Sequence, residues 1–101
     1  MIFVKVLATD EMSMNSIRGV EVNGKSILLV NLAGNFYAMG NICTHMGCKL
    51  SLGSLKGEII QCACHGSRFD PKTGNVVGGP AKKSEPSYEV KIEGSQVLVK
   101  D

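Results

Sequence analysis

The chain has no long apolar run, no block of like charge, no internal repeat and no low-complexity tract. Its longest aliphatic stretch, Ile27–Val30, is strand-sized, far short of the ~20 apolar residues of a membrane-spanning helix, so no membrane anchor is expected. The segment Met1–Asp10 turns polar by Thr9 and lacks a small-residue cleavage site, so it reads as a strand and not as a secretory leader. Eleven basic residues against nine acidic ones leave a net charge of +2, and no basic cluster exceeds Lys82-Lys83. With three Phe and two Tyr there is no stacking platform either, and nucleic acid is not an expected partner. The expected address is the cytoplasm, where four cysteines are less naturally explained by disulfides alone than by metal.

At 101 residues the chain is expected to form one domain, 1–101, with a thin core that buries about 60–70% of the surface of the unfolded chain. The pattern is one of short strands and turns. Strands are expected at Ile2–Leu7, Ser16–Val22, Lys25–Leu32, Phe36–Met39, Glu58–Gln61, Ser87–Glu93 and Gln96–Lys100. Asn23-Gly24 is a hairpin signal, and Asp70-Pro71-Lys72-Thr73-Gly74 has turn chemistry. Asp10–Ser16 is at most a single helical turn. The fold class is all-β, a small antiparallel sandwich or barrel.

All four cysteines and both histidines fall in two windows of six residues: Cys43-Thr44-His45-Met46-Gly47-Cys48 and Cys62-Ala63-Cys64-His65-Gly66-Ser67. Each window follows a strand-like stretch and contains a glycine, as two loop tips on a rigid scaffold would. Sixteen residues, 46–61, separate His45 from Cys62, enough for an excursion and return. Cys and His are thiolate and imidazole ligands for soft and borderline metals, so each window offers one of each to a shared site. A structural zinc site is the bland alternative, although zinc knuckles usually pair Cys with Cys and His with His. Two plain disulfides explain neither histidine, and no third residue orients a catalytic Cys–His pair.

Cys43-x-His45, the gap, and then Cys62-x-x-His65 resemble the signature of Rieske 2Fe-2S domains. The flanking wording, Cys-Thr-His-x-Gly-Cys and Cys-x-Cys-His-Gly-Ser, strengthens the resemblance, as does Gly78-Gly79-Pro80 where that family carries a third, proline-containing loop. The resemblance implies a β-fold with two cluster-binding loops on a hairpin subdomain, here about residues 41–80. It implies that Cys43 and Cys62 bind one iron and that His45 and His65 bind the outer one. Two neutral imidazoles in place of two thiolates make the centre easier to reduce, at about −150 to +300 mV rather than near −400 mV.

The resemblance assigns the remaining cysteines as well. Cys48 and Cys64 match positions that form a disulfide in the Rieske subunits of cytochrome bc complexes. Ser67 matches a serine that donates to a bridging sulfide, while Phe69 stands where high-potential members have a tyrosine. One donor kept and one lost implies an intermediate potential. Met46, Gly79 and Pro80 are expected to cover or tune the cluster. Bound imidazoles also imply a potential that falls with pH in the alkaline range.

No histidine remains for an oxygenase's own iron, so the expected function is one-electron transfer and not catalysis. A reductase would donate, and an oxygenase or other terminal enzyme would accept, docking near His45 and His65. The alternatives are the small subunit of an NADH-dependent nitrite reductase, a respiratory Rieske component, or a zinc-stabilised binding module without redox chemistry. Lys82 and Lys83 read as a solvated loop, with a docking face for an acidic partner as the alternative.

Overall fold

The computed structural model describes residues 3–43, 47–64, 66–79 and 81–100. Among them, ten strands form two antiparallel sheets. The larger holds β1 (Phe3–Ala8), β2 (Ser16–Val22), β3 (Lys25–Leu32), β4 (Asn35–Gly40), β9 (Ser87–Glu93) and β10 (Gln96–Lys100), in the order β1-β10-β9-β4-β3-β2. It curls until its two edge strands, β1 and β2, meet. The smaller holds β5 (Ser54–Lys56), β6 (Ile59–Gln61), β7 (Arg68–Phe69) and β8 (Val76–Gly78), side by side in chain order.

The turns follow from local chemistry. Asn23 and Gly24 take φ of +49° and +81°, so the Asn-Gly signal becomes a tight hairpin joining β2 to β3. Ala33 also sits at positive φ, +52°, where a Cβ is unfavourable. Side chains hold that turn: Ala33 N–H donates to Asn15 Oδ1 at 3.2 Å and Gly34 N–H to Asn31 Oδ1 at 2.9 Å.

Strand β3 is buried from Ile27 to Leu32, and its period-two alternation feeds two cores. Ile27 and Leu29 point into the curled sheet with Val22, Ala38, Val97 and Val99. Leu28, Val30 and Leu32 face the smaller sheet, where they meet Leu50, Ile60, Phe69 and two cysteines, Cys43 and Cys62. The cysteines thus stand on a core that spans both sheets.

Asn41 ties strand β3 of the larger sheet to the turn that leads into β5. It is 2% exposed, and its side chain donates to Ser26 Oγ and accepts from Ser51 N–H. Its carbonyl accepts from Leu50 N–H at 2.6 Å. The helical expectation resolves into a 3-10 turn at Thr9–Glu11, and a second such turn, Leu50–Leu52, precedes β5. Strand β6 begins at Ile59, not Glu58, because Gly57 and Glu58 make the turn from β5. Among the described residues no helix is long and apolar enough to cross a membrane.

Candidate metal centre

Two loops of the smaller sheet's lobe share one backbone design. Cys43 N–H donates to Cys48 O at 2.7 Å, and Gly47 N–H donates to Cys43 O at 2.9 Å. In the second loop Cys62 N–H donates to Ser67 O at 2.8 Å and Gly66 N–H to Cys62 O at 3.1 Å. Gly47 and Gly66 close these loops at φ of +76° and +77°, a conformation glycine adopts without steric cost. The turn after β7 repeats the frame: Asp70 N–H donates to Asn75 O, Gly74 N–H to Asp70 O, and Gly74 has φ +80°. The loop form therefore belongs to the hairpins themselves. Two of them carry a free cysteine at the first position, where the third has Asp70.

Cys43 and Cys62 are free thiols, 3% and 2% exposed, in one core. Cys48 and Cys64 form a disulfide with Cα atoms 6.5 Å apart, tying the end of the first loop to the middle of the second. The Cys62 sulfur lies within 4.8 Å of both disulfide sulfurs. Three sulfurs so close resemble a metal triad, but two are bonded to each other and have no thiolate to give. Cys62 is left to act with Cys43. His45, His65, Met46 and Pro80 lie outside the described residues.

A third loop closes over the second. Ser67 is fully buried, and its hydroxyl accepts from Ala81 N–H at 3.1 Å, which leaves its own hydrogen to donate elsewhere. A Cβ on Gly79, at φ +83°, would lie 2.5 Å from Ser67 Cα and 2.8 Å from Gly66 O. Only glycine permits so close an approach. Phe69 is fully buried and packs in the core that holds Cys62. Nothing in the sequence pattern singled out Asn41, which anchors the turn after the first loop.

Beside Cys62, Ala63 and Gly66 runs a groove of about 290 Å³, bounded by Leu52, Ser54, Lys56 and Gln61. Away from the thiols, Lys72 Nζ meets Glu58 Oε1 at 2.5 Å across the far turns of the smaller sheet. The Lys72 ammonium holds the Glu58 carboxyl below its ordinary range, and Glu58 raises Lys72 in turn.

The donor set fits a group that takes one thiolate from each of two matched loops. The loops fix both cysteine backbones, the core keeps water from both thiols, and the disulfide fixes the spacing of the loops.

Comparison with known proteins agrees. Residues 2–91 match the Rieske 2Fe-2S domain family. The chain is 38% identical over 98 residues to the ferredoxin component of the naphthalene 1,2-dioxygenase/salicylate 5-hydroxylase systems of a Ralstonia species, covering 97% of this chain and 94% of that one. The ferredoxin of carbazole 1,9a-dioxygenase from Nocardioides aromaticivorans superposes with a TM-score of 0.94 at 28% identity, covering 98% and 97% of the two chains. A ferredoxin chain from a complex of reduced oxygenase and oxidized ferredoxin in carbazole 1,9a-dioxygenase superposes at 0.92 with 32% identity, over 97% and 92%. The chain belongs to the Rieske 2Fe-2S domain family.

Proposed function

We propose that this chain is the ferredoxin of an oxygenase system, and that Cys43, His45, Cys62 and His65 hold its Rieske 2Fe-2S cluster. The pair of matched loops, each presenting one buried free cysteine at its first position, carries this reading. The cluster supplies a one-electron couple, and the protein is a carrier rather than an enzyme. Its relatives are ferredoxin components of dioxygenases, so a reductase is the donor and a Rieske oxygenase the acceptor.

The chain's own residues do the rest. The Cys43 and Cys62 backbones are closed by their loops, which limits movement of the ligands when the charge changes. Core packing by Leu50, Ile60 and Phe69 excludes water from the thiolate side. Ser67 holds its hydroxyl at the base of the third loop, where the remaining hydrogen can serve a sulfide. Gly79 lets that loop lie against Ser67. Met46 and Pro80 remain assigned, from the sequence, to covering the cluster. The cytoplasmic address is part of the proposal, and fractionation of expressing cells tests it.

The test is reductive titration of the purified protein, followed by mixing with a Rieske oxygenase. The proposal expects a coloured protein that bleaches with one electron per chain and is reoxidised by the oxygenase. A colourless protein containing zinc and no iron contradicts it.

A further inference from the structure

We propose that the outer face of the smaller sheet, around Leu52, Lys56 and Arg68, docks a redox protein whose own contact surface is acidic. The inference rests on the carrier reading above and names the chemistry of the partner.

Strand register places the residues. Ser54 pairs with Gln61, Gln61 with Arg68, and Arg68 with Gly78, so these four share one face. Lys56, two residues beyond Ser54, points the same way. The neighbouring row, Leu55, Ile60, Phe69 and Val76, is the one that packs into the core. Lys56 and Arg68 therefore share the side away from the core, on strands separated by β6, and both are exposed. No carboxylate of a described residue pairs with either. The two acidic residues nearby are already engaged: Glu58 is held by Lys72, and Asp70 accepts from Lys72 N–H within its own turn.

Charge is also divided between the halves of the molecule. Residues 41–86 carry six basic side chains against three acidic, whereas the rest carry five against six. The half that holds the cluster is the positive one.

The apolar element of the face is Leu52, in the turn that leads into edge strand β5 and beside Ser54, Lys56 and Gln61. It is 74% exposed, the most exposed large hydrophobic side chain among the described residues. Its turn is nevertheless closed by hydrogen bonds and a close backbone approach. Ser51 N–H donates to Asn41 Oδ1, Leu52 N–H to Lys49 O and Gly53 N–H to Leu50 O, and a Cβ on Gly53 would lie 2.1 Å from Gln61 O. With the backbone beneath it already ordered, binding costs only the rotamer freedom of the Leu52 side chain itself. Leu52 also borders the groove that reaches Cys62. An apolar anchor with a cationic rim, beside a cluster ligand, matches an apolar recess rimmed with carboxylates.

Two small oxidants test the charge. Each takes one electron from the dithionite-reduced holoprotein: ferricyanide, an anion, becomes ferrocyanide, and hexaammineruthenium(III), a cation, becomes ruthenium(II). Raising ionic strength should slow ferricyanide by about tenfold while leaving the cation unchanged or faster. Lys56→Glu and Arg68→Gln, each checked for an unchanged visible spectrum, should each weaken that salt dependence. Equal salt responses of the two oxidants, or variants that match wild type, would overturn the proposal. A protein without a bleachable spectrum refutes the carrier reading instead. Against a Rieske oxygenase that accepts electrons from wild type, Leu52→Ser should slow transfer about tenfold with the ferricyanide rate unchanged, the size of loss typical of one interface anchor. An unchanged oxygenase rate removes Leu52 from the face.

Discussion

Cys43 and Cys62 occupy the same position in two loops closed by the same pair of hydrogen bonds, with glycine at φ of +76° and +77° four residues on. The backbone of each cysteine is fixed by its hairpin's own hydrogen bonds. The loop glycines are then conformational requirements. A Cβ at Gly47 meets no atom of the described residues within 4 Å, so Gly47→Ala should cost the left-handed penalty, about 1–2 kcal/mol. Gly79→Ala adds a collision with the Ser67 backbone at 2.5 Å and should cost clearly more. Denaturant unfolding of both variants checks the order. Equal costs would mean that the third loop is not seated on the second.

The Cys48–Cys64 disulfide spans 16 residues and clamps the two loops together. Closing a loop of that length should stabilise the fold by about 3 kcal/mol. Wild type under a reductant and the Cys48→Ser/Cys64→Ser variant should lose similar stability and release iron faster on dilution. Identical unfolding curves with and without reductant would show that the clamp contributes nothing.

Phe69 combines a packing role with an electronic one. Phe69→Ala should cost about 3–5 kcal/mol, as for any fully buried aromatic side chain. Phe69→Tyr should raise the reduction potential, because the added hydroxyl can donate toward a ligand sulfur and favour the more negative state. Redox titration measures this directly. A potential that stays put or falls would place the position-69 ring edge away from the sulfurs.

Glu58 and Lys72 give the acid limb a defined sign. The Glu58 carboxyl is depressed in the folded protein by Lys72, so its contribution is present above the ordinary carboxylate range and is lost as pH falls through the folded value. Lys72, raised by Glu58, contributes below the ordinary lysine range and loses that contribution as pH rises through its folded value. Both side chains are largely exposed, so salt should shrink the effect. Thermal unfolding of Glu58→Gln at low salt should show a flatter loss of stability on acidification than wild type. A steeper loss contradicts the assignment.

The family and its two Cys/His loops were legible because their information lies in residue type and spacing. Cys, His and Gly at those intervals have few other uses. The Asn23-Gly24 hairpin and strand β3 were legible for the same reason, since turn chemistry and an alternating apolar run are local signals. Strands β5, β7 and β8 were not. They are two or three residues long and exist through pairing with a neighbour, β5 and β7 with β6 and β8 with β7, rather than through any pattern of their own. Asn41 and Leu52 were also invisible. One is a single buried amide whose partners lie 10 and 15 residues away, and the other is an ordinary leucine whose exposure depends on the turn beneath it.

The chain contains only two histidines, His45 and His65, which makes one measurement unusually specific. Protein grown with nitrogen-15 histidine, reduced and studied by electron–nuclear double resonance, should show two strongly coupled nitrogen-15 nuclei at the cluster. A cluster signal with no histidine nitrogen coupling would mean that cysteines alone hold the iron, and would contradict the assignment of Cys43, His45, Cys62 and His65.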